Sequence, residues 1–200
     1  HCLFGVVDGM GGHAAGEVAA EIIRQTLTDR FSQHDETDSD IASWIEESHQ
    51  AVLDSAEANK ERAGMGAVVT AVIFDGRTLQ FGHVGDTRCW VLRDGVFKQI
   101  SEDQSPVGEL VTRGDLTQDQ ARAHPMNNVI NQAVGTKREA PSPLVLTIDA
   151  SAGDRVLVAS DGLSDVVGKD EIQILLSIAD LDESADALVE AALTDHIAED

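Results

Sequence analysis

Residues 3–20 read LFGVVDGMGGHAAGEVAA, and the reading of the whole chain turns on them. Residues 3–7 are a short apolar run of the kind that forms a buried strand. Asp8-Gly9 follows, and Asp-Gly is first of all a turn signal. Here no second apolar strand folds back after it. A glycine-rich run leads instead into residues 14–30, where Val18, Ala19, Ile22, Ile23 and Leu27 form a helical stripe. A carboxylate is therefore expected at the end of a buried strand. The residue after it has no Cβ, so a backbone carbonyl there can come close to a ligand.

The same pattern recurs at residues 156–165, VLVASDGLSD, where Asp161-Gly162 follows an apolar run and precedes a helix. The other two Asp-Gly pairs, Asp75-Gly76 and Asp94-Gly95, lie between paired apolar runs and read as hairpin turns. Strands are expected at 67–74, 78–84, 87–92, 96–100, 144–148 and 155–159. A helix over 41–59 carries Ile45, His49, Val52 and Ala56 on one face, and two more run over 169–179 and 184–197. Residues 33–40 read as a polar loop. Residues 102–125 read as a polar excursion with a short helix around 117–123. Helices, then a β meander, then strands and helices again predict an α+β fold of sheet layers covered by helices.

An apolar content of 42% supports one continuous core over residues 1–200. The formal net charge is -22, from 14 basic and 36 acidic residues. That excludes nucleic acid or an anionic membrane as the main partner, since both need a basic face. Most of these carboxylates read as solvated surface. Cys2 and Cys89 are far apart without C-x-x-C spacing, so neither a disulfide framework nor a zinc knuckle is expected, and a reducing cytoplasm fits. No apolar run approaches the roughly 18 residues of a membrane span, and no signal peptide is visible. The chain starts at His1, inside an apolar strand pattern and without an initiator Met.

The chemistry rests on carboxylates and a glycine carbonyl, which are hard oxygen donors that favour Mg or Mn over Zn. A pair of such ions can activate water and clamp a phosphoryl oxygen without a covalent protein intermediate. Competing phosphate chemistries fail on inspection. A cysteine phosphatase needs C-x5-R, but Asp8 and Gly95 stand where the arginine would follow Cys2 and Cys89. No Walker lysine motif is present. The paired aspartates of DSDIA, Asp38 and Asp40, lie in a polar loop instead of at a strand end. Gly9, Gly11 and Ala14 match a dinucleotide fingerprint, but Asp29, at the expected acidic position, follows no second parallel strand. On chemistry alone, ordinary turns and a shared metal site both remain open.

Five ordered segments carry a resemblance. Residues 3–20 are similar to the DG-x-GG-x-x-x-GE segment of bacterial PP2C-type (PPM) serine/threonine protein phosphatases. GHVGDTRCWVLRDG at 82–95 resembles the family's VGDSR strand pair, and residues 103–135 resemble its flap and the helix after it. GDRVLVASDGLSDVV at 153–167 resembles the strand-end DG-x-x-D, and Asp200 resembles the aspartate of the terminal D-N. The resemblance implies a four-layer αββα sandwich of two antiparallel sheets flanked by helices. It implies hydrolysis of phosphoserine and phosphothreonine in proteins by a water bridging two Mn or Mg ions. Asp8 would bridge both metals, Gly9 would lend its carbonyl to the second, and Asp161 and Asp200 would bind the first. Asp86, Asp161 and Asp165 would hold a third, weaker ion. Read blandly, Asp86 is a turn residue and Asp165 a helix N-cap.

Arg88 and Arg113 are cationic candidates near substrate, with salt bridges as their bland alternative. His124, before Pro125, is expected to order the flap at about 103–126. His13 reads as an exposed helix-entry residue, and Trp44 and Trp90 as packing residues. The family's N-terminal R-x-x-N-E-D strand and its last strand are absent from the 200 residues. The usual D-H-S at the start of the flap is DQS here, with Gln104 in place of histidine. The resemblance implies phosphoprotein substrates, a cognate bacterial kinase and a monomer. A catalytically inactive module that binds a partner is the alternative, and the retained Asp8, Asp86, Asp161 and Asp165 weigh against it.

Overall fold

The computed structural model describes residues 1–11, 13–33, 40–137 and 139–198. Strand β1 (Cys2–Met10) pairs with β2 (Gly66–Phe74), β2 with β3 (Thr78–Val84), and β3 with β6 (Leu144–Asp149), all antiparallel. A second sheet has the order β5 (Val96–Gln99), β4 (Arg88–Arg93), β7 (Arg155–Ala159), again antiparallel. Helices α1 (His13–Gln33) and α2 (Ile41–Ala58) cover the first sheet. Helices α6 (Lys169–Leu176) and α7 (Leu181–Ala198) cover the second.

Side-chain alternation along the strands produces the layers. On β2, Ala67, Val69, Ala71 and Ile73 point to the helices, where they meet Ile23 of α1 and Ile41, Ile45 and Val52 of α2. Val72 points the other way. With Leu79 and Phe81 of β3 it meets Cys89 and Val91 of β4, forming the seam between the sheets. Trp90 and Leu92, the alternate residues of β4, face outward onto Ile172, Leu176 and Leu188. Trp90 also stacks on Phe97, with ring centroids 6.0 Å apart. Three apolar seams thus separate four layers, the expected αββα sandwich. Both tryptophans pack as expected, Trp44 within the α1–α2 layer.

Several expectations need correction. The first strand does not end before Asp8; it continues to Met10, with Asp8 opposite Val68 and Gly9 opposite Ala67. The ladder runs on because β2 is long enough to partner it, and the carboxylate interrupts an apolar pattern without interrupting backbone pairing. Between β5 and β6, the short helix α4 (Gln118–Arg122) forms as expected, closed by a Thr117–Gln120 capping box. An unanticipated helix, α3 (Pro106–Thr112), precedes it. Its signal was legible: Ser105 is the N-cap, accepting the Gly108 N–H at 2.9 Å, and Pro106 opens the helix. The hairpin turns hold, with Gly76 at φ 93°, and Asp94 at 51° before Gly95 at 77°. Asp40 caps α2 by accepting the Ser43 N–H at 3.2 Å, while Asp38 lies outside the described residues.

Candidate active site

Asp8 stands near the end of β1, and the next residue explains the local backbone. A Cβ on Gly9 would lie 2.2 Å from the carbonyl oxygen of Gly16, and one on Gly16 would lie 2.8 Å from the Gly9 carbonyl. The two glycines let α1 seat directly on the strand that carries Asp8. Gly9 therefore has a packing reason to lack a side chain, separate from any ligand. His13 opens α1.

Asp161 is the first residue of a single-turn helix, α5 (Asp161–Ser164), immediately after β7. Asp165 closes that turn, donating its N–H to the Asp161 carbonyl at 2.8 Å. It is a C-cap, not the N-cap of its bland reading. Asp86 lies in the turn between β3 and β4, after Gly85 at φ 106°. A Cβ on Gly85 would lie 2.1 Å from the Val68 side chain, so space and backbone conformation both require glycine.

The fold brings these carboxylates together at Asp161. Asp8 is held above the usual carboxylate range by burial, then by the charge of Asp161 and a hydrogen bond with it. Asp86 is pushed up to about 6, first by burial and then by Asp161 and Asp103. Asp165 is also raised, chiefly by burial; Asp161 and Asp103 add to this, while Arg88 and Arg122 oppose it. Among the described residues, no three acidic, histidine or cysteine side chains close into a ready-made metal cage. Asp200 lies outside the described residues.

The donor chemistry nonetheless fits a hard divalent cation. Carboxylate oxygens that repel one another are stabilised by a cation placed between them, and among the described residues no histidine or cysteine joins them in a metal-holding group.

Arg88 is committed to carboxylates. It binds Asp103 two-pronged, with a closest approach of 2.7 Å, and reaches Asp165 at 3.7 Å. Arg113 is exposed and pairs with Glu109 at 3.6 Å on its own helix. His124 accepts the Met126 N–H at 3.2 Å, which orders the turn after α4. A cavity of about 180 Å³ lies beneath α3 and α4, lined by Arg88, Asp103, Ser105, Arg122 and Asp165 among others. Arg122 donates to the Val167 carbonyl at 3.0 Å, tying α4 to the segment after α5. Sequence reasoning missed Asp103, Arg122 and His83. Asp103 and Arg122 read as surface charge in so acidic a chain, and their pairing depends on contacts distant in sequence. His83 had a signal, a polar residue within an apolar strand. It is 2% exposed, with Nδ1 2.8 Å from the Thr70 hydroxyl.

The family described as protein phosphatase 2C matches residues 1–198. The serine/threonine protein phosphatase PstP of Mycobacterium tuberculosis is 38% identical over 195 residues, 96% of this chain but 37% of that protein. This chain thus spans little more than a third of that relative's length. Among solved structures, the catalytic domain of PstP in complex with two manganese ions superposes with a TM-score of 0.84 at 34% identity, covering 96% of this chain and 81% of that one. Stp1 of Staphylococcus aureus superposes with a TM-score of 0.87 at 30% identity, covering 97% and 78%. With a family match running nearly end to end, and the same layered fold in solved relatives, the chain belongs to the protein phosphatase 2C family.

Proposed function

We propose that this chain is the catalytic part of a metal-dependent protein phosphatase that hydrolyses phosphoserine and phosphothreonine in proteins. The observation that carries the reading is the meeting of Asp8 and Asp161. Asp8, half-buried, comes from the first sheet and Asp161, exposed, from the turn that ends the second, close enough for the charge of Asp161 to raise the Asp8 carboxyl. So costly a pairing of like charges is retained where a cation uses it.

Asp8, with the Gly9 carbonyl, would hold the core ions, and Asp161 would complete the first site together with Asp200. Asp86 and Asp165, with Asp161, would hold a third. When bound, Mn or Mg ions supply the positive charge that activates a water and neutralises the phosphoryl oxygens. The chain's own groups do the positioning. Arg88 ties Asp103 to Asp165, and Gly85 shapes the turn that aims Asp86. The α3–α4 connection, meaning the segment between β5 and β6 that carries both helices and includes the flap at about 103–126, would cover the phosphoprotein beside the site, with Arg113 and His124 on it. Its acidic surface suits a substrate whose phosphate is drawn in by bound cations rather than by basic side chains.

In this reading the protein works as a monomer opposite a bacterial serine/threonine kinase. A reducing cytoplasm is consistent with two free cysteines, Cys2 exposed and Cys89 buried. Among the described residues no helix is long and apolar enough to cross a membrane. The test is Mn-dependent hydrolysis of p-nitrophenyl phosphate and of a phosphothreonine peptide by the full-length protein, with Asp161→Asn as control. Turnover that needs the metal and collapses in the variant is expected. A folded, Mn-binding protein without turnover would instead point to the regulatory module.

A further inference from the structure

Residues 102–104 run beside the turn that carries Asp86, and three consecutive residues are each tied to it differently. The Glu102 carbonyl lies 3.0 Å from His83 Nε2. The Asp103 carboxylate takes the guanidinium of Arg88, 2.7 Å away at the closest. Gln104 meets Gly85 twice: its N–H donates to the Gly85 carbonyl at 2.8 Å, and its Oε1 accepts the Gly85 N–H at 2.8 Å. Residues 83, 85 and 88 are thereby stitched in order to 102, 104 and 103.

Gln104 also holds the far end of the same connection. Its carbonyl accepts the Asn131 N–H at 2.7 Å, and its Nε2 donates to the Ser142 carbonyl at 3.4 Å. Asn131 in turn donates from its side chain to Glu109 of α3 at 3.0 Å. Both ends of the α3–α4 connection thus meet at one glutamine, and that glutamine brackets the residue immediately before Asp86.

We infer that Gln104 is a positioning residue, fixing the Gly85–Asp86 turn to both ends of the α3–α4 connection so that cation binding at Asp86 and movement of the connection are coupled. The cation part rests on the proposed function; the clamp itself rests on the hydrogen bonds alone. A ligand carboxylate on a short turn has to be held within a fraction of an ångström to be useful, and the hydrogen bonds of its neighbours supply that restraint. Coupling of this kind is reciprocal. A substrate that shifts the connection changes affinity at Asp86, and a cation at Asp86 changes the connection.

The test uses the full-length protein carrying Gln104→Met, which keeps the side chain's length but removes both polar atoms. Gln104→Glu, which keeps an acceptor for the Gly85 N–H, serves as rescue, and Asp86→Asn as the reference for the cation site. Hydrogen exchange at the Gly85 amide is read in metal-free protein, and Mn2+ binding by calorimetry without substrate. In Gln104→Met, Gly85 exchange should rise about five- to tenfold, the loss of one hydrogen bond, and Asp86-dependent Mn2+ binding should weaken by a similar factor. Gln104→Glu should restore slow exchange. Unchanged exchange and Mn2+ binding in Gln104→Met, beside weakened binding in Asp86→Asn, overturns the clamp and leaves the metal site standing. Unchanged Mn2+ binding in Asp86→Asn removes Asp86 from the cation site, and the coupling falls with it.

Discussion

Arg88 of β4 grips Asp103 at 2.7 Å and reaches Asp165, beyond α5, at 3.7 Å, so a single guanidinium links three segments of the site. The Arg88 and Asp103 side chains are only 13% and 11% exposed. Removing the arginine leaves a largely buried carboxylate without its partner, a costlier state than losing a surface ion pair. Arg88→Ala should lower unfolding stability by roughly 3 kcal/mol. Arg88→Lys should recover only part of that, because one ammonium cannot reproduce the two-pronged contact. Urea denaturation of both variants checks this; a loss within error of zero for Arg88→Ala would show that the pair is screened by water.

Asp8 and Asp161 make the opposite bargain. Burial and the Asp161 charge both disfavour the Asp8 carboxylate, so Asp8→Asn removes a repulsion from the metal-free protein. Its thermal midpoint without metal should equal or exceed that of the unsubstituted protein. If Asp8 holds a core ion as proposed, the variant's further stabilisation by Mn2+ should shrink or vanish. Paired melting curves with chelator and with excess Mn2+ decide it. A midpoint that drops without metal would mean that Asp8 is held by favourable contacts and is not a strained ligand.

The layers were legible in the sequence because period-two alternation on β2, β3 and β4 and helical stripes on α1 and α2 leave few alternatives. The hairpins at Asp75 and Asp94 announced themselves through turn chemistry. The end of β1 did not. Asp8 looks like a strand terminator, and only pairing with Val68, Ala67 and Gly66 on β2 carries the strand to Met10. Asp8, Asp86, Asp161 and Asp165 could be named, yet composition could not tell them from turns and caps. What separates them is mutual charge across contacts far apart in sequence. Asp103 belongs to that same unreadable class, and Gln104, legible as a departure from the family's histidine, showed its partners Gly85, Asn131 and Ser142 only in the fold.

His49 links stability to pH. It is 8% exposed on α2, and its Nδ1 accepts the N–H of Gly135 at 2.9 Å. Burial lowers its pKa, because the charged form is disfavoured inside and its bonded nitrogen must stay unprotonated. The unfolded chain therefore takes up a proton that the folded chain refuses as pH falls through about 6.5. Stability from this site is full above that value and declines below it. His83 is lowered by burial as well and adds to the same slope. His49→Asn, whose side-chain oxygen can replace the acceptor, should lose less stability than the unsubstituted protein between about pH 7.5 and 5.5. Equal losses in urea titrations at the two pH values would remove His49 from the account.

Gly9 has two separable reasons to be glycine. Packing alone demands glycine there, because a Cβ would sit 2.2 Å from the Gly16 carbonyl oxygen. The proposed metal site would also give its carbonyl a use. Gly9→Ala should force α1 away from β1 and cost roughly 1–3 kcal/mol, the range for an overpacked contact. Gly16→Ala presses the same interface from the helix side, where its Cβ would lie 2.8 Å from the Gly9 carbonyl. It should destabilise as well, while leaving the residue beside Asp8 unchanged. Melting temperature and Mn2+ affinity measured on both variants tell the reasons apart. Similar losses of stability with Mn2+ affinity reduced only in Gly9→Ala would mean that the backbone beside Asp8 serves the ion directly. Parallel losses of both quantities in the two variants would mean that Gly9 acts through the seating of α1, and the carbonyl would lose its place among the ligands.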